Sequence, residues 1–123
     1  VSDESVFDAL GGQPFFDELA HRFYERVAVD AVLRPLYPED LGPGERHLAL
    51  FLGQYWGGPT TYSEERGHPR LRMRHAPFVI GPAERHAWYA AMAESVAASG
   101  APADLQQRLL DYFAMAADHL VNG

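Results

Sequence analysis

The sequence predicts an all-α fold, on three observations. Apolar residues recur every three or four positions through most of the chain, the period of an amphipathic helix. Proline stands where those stretches begin, at Pro14, Pro82 and Pro102, in a first turn that loses nothing by its missing amide proton. No stretch alternates apolar with polar residues as a half-buried strand does, and there is no internal repeat or low-complexity tract.

The elements follow in order. Gly11-Gly12 precede Pro14, after which Phe16, Leu19, Ala20, Phe23, Tyr24 and Val27 mark one face of a helix. Asp30 suits the cap of a short second helix that ends by Tyr37, because Pro38 pushes the preceding residue toward extended backbone. PEDLGPG (38–44) reads as a turn-rich linker. The next helix runs from about Glu45 to Trp56, with Leu48, Phe51, Leu52 and Tyr55 on one face, and Gly57-Gly58-Pro59 stops it. Residues 59–69 read as a long loop, of a kind that is often functional in so small a chain. A short helix then carries Leu71 to His75. Trp88, Met92 and Val96 define the first of two long C-terminal helices, and Leu105, Leu109, Tyr112, Phe113, Ala116 and Leu120 the second, with SGAP (99–102) between them.

Composition narrows the function classes. The 123 residues suffice for one domain over 1–123 with one core, and an apolar fraction of 47% is ordinary for a globule. The absence of cysteine excludes disulfides, thiolate zinc sites and covalent c-type haem attachment, and is compatible with a reducing cytoplasm. No apolar run reaches the ~20 residues of a membrane helix, and the acidic start lacks the blocks of a secretory signal. A formal net charge of −7 argues against nucleic acid as a partner.

Against that acidic background, Arg66, Arg70, Arg72 and Arg74 cluster with His68 and His75, forming a local anion site or a solvated charged face. Of the six histidines, His21, His47, His86 and His119 sit at largely polar helical positions. His75 differs, because Leu71 and Phe78 bracket it with apolar contacts and turn it inward. No HxxxH or HExxH pair supports zinc, which wants four ligands in a structural site, whereas one histidine is enough for haem iron. Polar-tipped rings are the second clue. Buried Tyr and Trp need partners for their polar atoms, and Tyr24, Tyr37 and Trp88 are candidates for one shared pocket. Tyr112 reads as ordinary core packing with its tip in solvent.

FYERVAVDAVLRPLYPEDL (23–41), FLGQYWGGPTTYSEERGHPRLRMRHAPF (51–78) and AWYAAM (87–92) closely resemble group II truncated haemoglobins, and the double glycine of the opening segment resembles the family start. The resemblance spans about Val6 to Asn122. It implies a reduced globin, with helices stacked two over two around one b-type haem, and His75 as proximal iron ligand. It places Tyr24, Tyr37 and Trp88 on the ligand-binding side, with Gly44 at the distal position that many globins fill with histidine. Leu48, Phe51 and Leu52 would line the helix above the haem, and Phe78 would be a further haem contact. Arg74, Tyr62 and His47 would contact the propionates, with Arg72 and Arg66 nearby. Two positions depart from the family pattern: His47 stands where relatives often carry arginine, and Gly44 where they often carry alanine.

The resemblance implies binding of O2, CO, NO or peroxide. If Trp88 and Tyr37 both donate to a bound ligand, each bond is worth about 1.5–3 kcal/mol with a charged partner, and two would slow release by roughly 100-fold or more. Slow release suits nitric oxide dioxygenation or peroxide reduction better than carriage. With no flavin or nicotinamide motif, turnover would need an external reductase. Two alternatives stay open: a non-catalytic gas scavenger, delivery protein or sensor, and a haem-free helical module that binds anions through its arginines. A homodimer is compatible with either.

Overall fold

The computed structural model describes residues 5–67 and 80–121. Helix α1 (Val6–Ala9) is a single turn capped by Ser5, whose hydroxyl accepts from the Asp8 amide at 3.1 Å. Helix α2 (Gln13–Val29) is as long as the first C-terminal helix, longer than its sequence pattern alone marked. Its face of Phe16, Leu19, Ala20, Phe23 and Val27 is almost fully buried. Asp30 then forms a tight turn, its carboxylate accepting from the amides of Val32 and Leu33 at 2.8 and 2.9 Å. The expected short helix is a single 3-10 turn over Arg34–Leu36.

Helix α3 (Gly42–Tyr55) starts three residues before the expected Glu45, because Pro43 falls in its first turn and the linker's last residues join the helix. The region read as a loop holds a further helix, α4 (Thr61–Arg66). Two features of the sequence permit it. Thr60 precedes it and its hydroxyl donates to the Glu64 carboxylate at 3.1 Å, while Gln54 reaches across from α3 to Ser63, accepting from its amide at 3.0 Å and donating to its hydroxyl at 2.7 Å. Helices α5 (Pro82–Ala98) and α6 (Ala103–Leu120) match the expected C-terminal pair. At the start of α5, Glu84 folds back to accept from the Gly81 amide at 2.7 Å.

Helix α2 packs along α3, α5 along α6, and α2 also meets α5, which joins the two pairs. Phe16, Phe23, Leu52, Met92, Val96, Leu109 and Phe113 fill the core between them. Ser95, buried in this core, donates to the Ala91 carbonyl of its own helix at 2.8 Å, whereas the Trp56 indole nitrogen at the core's edge is buried without a hydrogen-bond partner among the described residues. Among the described residues there is no strand, and no helix is long and apolar enough to cross a membrane.

Candidate functional site

The helix pairs diverge on one side and leave a cleft with two lobes, of about 190 and 310 Å3. Tyr37, Gly44, Arg66, Trp88 and Leu120 line both lobes, so these are two parts of one space. The smaller lobe lies under α3. His47, Leu48, Phe51 and Leu52 descend from that helix at three- and four-residue steps, and Tyr62 closes the end. The larger lobe runs between the 3-10 turn and α5, with Leu33, Leu36 and Ile80 on its walls and Arg85 at its edge.

The three polar rings picked out in the sequence converge here from different elements. Tyr24 comes from α2, Tyr37 from the end of the 3-10 turn and Trp88 from the second turn of α5. The rings of Tyr24 and Tyr37 meet edge to face, centroids 5.6 Å apart. Phe23 supports the group from behind, 5.4 Å from Tyr24 and 5.8 Å from Trp88. Burial pushes the Tyr37 phenol well above its ordinary value, and the Tyr24 phenol beside it adds to that shift. The donor character of the Trp88 indole works the other way. An indole can only donate and a phenol can donate or accept, so each ring has a proton to offer to the cleft. Tyr24 is pushed up to about 12, by burial first and by the charge of Glu45 second.

The rim carries the charges. Arg66 lies 3.4 Å from the Nε2 atom of His47 and lines both lobes. Arg85 at the other side donates to Asp118 at 2.8 Å. A broad slot with aliphatic and aromatic walls and a basic rim fits a flat apolar macrocycle bearing carboxylates, so the residues present suit haem. No group of three or more metal-ligating side chains occurs among the described residues. His75, Arg72, Arg74 and Phe78 lie outside the described residues.

A model of the bacterial-like globin family matches residues 5–122. The chain belongs to that family. It is 39% identical to the group 2 truncated haemoglobin YjbI of Bacillus subtilis, over 98% of this chain and 91% of that one. Among solved structures, the haemoglobin of Chloroflexus aurantiacus superposes with a TM-score of 0.96 at 47% identity, over 98% of this chain and all of its own. The haemoglobin of the actinobacterium Thermobifida fusca does so with a TM-score of 0.94 at 55% identity, over 97% and 98%. Group II truncated haemoglobins stand among the neighbours, which bears out the resemblance and the truncated globin fold. Membership implies haem-based binding of diatomic ligands.

Sequence reasoning missed several walls of the cleft. Leu33, Leu36 and Ile80 sit in short connections with no periodicity to mark them. Tyr112, read as core packing with its tip in solvent, lines the smaller lobe, and burial raises its phenol, with Tyr55 adding to the shift. Its four-residue step to Ala116, which lines the same lobe, was the available signal.

Proposed function

We propose that the cleft holds a b-type haem with His75 as its axial ligand, and that Tyr37 and Trp88 retain a small ligand long enough for nitric oxide dioxygenation or peroxide reduction. When bound, haem supplies an iron that takes a diatomic or peroxide ligand and exchanges electrons. The remaining tasks fall to the chain. Leu48, Phe51 and Leu52 keep water from the α3 side. His47, Tyr62 and Arg66 face the place where the carboxylates of the macrocycle would emerge, with Arg72 and Arg74 as further candidates and Phe78 as an apolar wall.

The observation that carries this reading is the convergence of Tyr37 and Trp88 at the junction of the two lobes, both of which they line. It presents an indole N–H and a phenolic O–H together. Burial holds the phenol protonated far above neutral pH, so the donor is present under all ordinary conditions. Slow release fits with the description of a solved Bacillus subtilis relative, 37% identical, as an oxygen-avid truncated haemoglobin. The oxidisable rings around the cleft suit peroxide chemistry, and the lack of cysteine suits a reducing cytoplasm.

Oxygen dissociation rates test the assignment. Tyr37→Phe and Trp88→Phe should each speed release by about 10-fold or more, the effect of one lost charge-assisted hydrogen bond. Unchanged rates in both variants would defeat it. His75→Gly should lose haem or alter its absorption spectrum; a purified product with the parent spectrum, in the absence of added imidazole, would remove the axial assignment. Sustained consumption of nitric oxide or peroxide with an external electron donor separates catalysis from plain binding.

A further inference from the structure

Gly44 stands at the third position of α3, where the chain passes closest to the distal rings. A Cβ placed on it would lie 2.7 Å from the Tyr24 hydroxyl and 3.3 Å from the ring carbon that bears it. No real Cβ tolerates the first distance. The Tyr24 ring has little freedom to give way, since it is 8% exposed and wedged edge to face between Phe23 and Tyr37. The hydroxyl therefore rests in a notch that exists only because residue 44 has no side chain.

The notch has a cost. Glycine within a helix is less favourable than alanine, because it orders a more flexible backbone. Gly44 does not have the positive φ that would demand glycine, so its backbone would accept alanine. Only the contact with Tyr24 stands against the substitution.

We propose that Gly44 is a positioning residue for the distal donors: its bare Cα seats the Tyr24 hydroxyl against α3, and through the Tyr24–Tyr37 contact it sets where the Tyr37 hydroxyl points. The effect on ligand release rests on the function proposed above, whereas the seating of Tyr24 does not. In this chain a side chain at residue 44 would meet the Tyr24 hydroxyl where it now rests, and Tyr37, which meets that ring at 5.6 Å, would feel its shift.

The test is a double-mutant cycle on the haem-loaded protein: parent, Gly44→Ala, Tyr24→Phe and the double variant. Two readouts are taken, the Tm and the oxygen dissociation rate. Gly44→Ala should lower the Tm when Tyr24 is present and leave it equal or higher in the Tyr24→Phe background, where the clashing atom is gone and helix propensity decides. It should speed oxygen release by about 5-fold in the parent and by less than about 2-fold in the Tyr24→Phe background. The same Tm shift in both backgrounds would overturn the proposal. So would failure of the double variant to fold, whereas rescue of a misfolded Gly44→Ala by Tyr24→Phe would be the same coupling in a stronger form. If Tyr37→Phe and Trp88→Phe leave release unchanged, the ligand reading fails, and the Tm cycle alone decides the role of Gly44. If those variants act and the release cycle shows no coupling, the link from Gly44 to Tyr37 is wrong.

Discussion

Near its C-terminal end α3 meets α1 and the start of α2 through close glycine contacts, whereas a second face of the same helix, from Gly44 to Leu52, lines the cleft. Glycine makes close approach possible at both ends. A Cβ on Gly58 would lie 2.5 Å from the Phe7 ring and 2.8 Å from the Gly53 carbonyl oxygen, and one on Gly53 would collide with the Gln13 carboxamide. Gln13 in turn donates to the Ala49 carbonyl at 2.9 Å, and the Phe7 amide donates to the Trp56 carbonyl at 2.9 Å. There the close approach fixes scaffold against scaffold. At the other end Gly44 admits a hydroxyl that belongs to the cleft. One helix thus makes close scaffold contacts near its C-terminal end and meets the Tyr24 hydroxyl near its N-terminal end, and the two contacts can be perturbed separately.

The sharpest way to break that separation is at the dense end. Phe16 is fully buried and stacks on Phe7 at 5.9 Å, so Phe16→Ala should cost about 3–5 kcal/mol. Urea unfolding would measure the loss, and the oxygen release rate of the folded fraction should stay near the parent value. A large change in release would mean that the two ends are not independent. Gly58→Ala should cost less, about 1–3 kcal/mol, because an added methyl overpacks its neighbours but leaves no cavity. Its unfolding midpoint should fall while the visible spectrum holds.

The cleft end is probed by alkaline pH, with a smaller effect. The Tyr24 phenol sits at about 12 in the folded protein against 10.0 ordinarily, so above pH 10 the unfolded chain loses this proton first. The stability owed to the neutral phenol is whole below pH 10 and is lost as pH rises from 10 toward 12. At pH 11 the loss should be about 1 kcal/mol. Unfolding midpoints taken at pH 9 and pH 11 should converge in Tyr24→Phe relative to the parent. An unchanged difference would mean that Tyr24 does not carry the shift.

Much of the fold was legible because the helices over Gln13–Val29 and Ala103–Leu120 are amphipathic over many turns, and their buried faces repeat at the helical period. The convergence of Tyr24, Tyr37 and Trp88 was anticipated only as a plausible grouping and through family resemblance, because it arises where three elements meet. Helix α4 escaped detection for a related reason. Six residues cannot hold a helix by propensity alone, and the contacts from Gln54 and Phe51 that hold this one come from another element. The early start of α3 was hidden by GPG, a turn signal anywhere except in a helix's first turn. The resemblance placed Gly44 at the distal position but could not show its approach to the Tyr24 hydroxyl, since a glycine's neighbours in space are invisible in a sequence.

Helix α4 also has a consequence for breathing of the protein. It is anchored by one buried ring, Tyr62, which meets Phe51 at 5.4 Å, by the Gln54 clasp, and by the exposed Arg46–Glu65 pair at 2.6 and 2.9 Å. Such an element opens at little free energy, well before the long helices do. Its amides should therefore trade deuterium for hydrogen early, and the wall formed by Tyr62 and Arg66 is where solvent would first reach the interior.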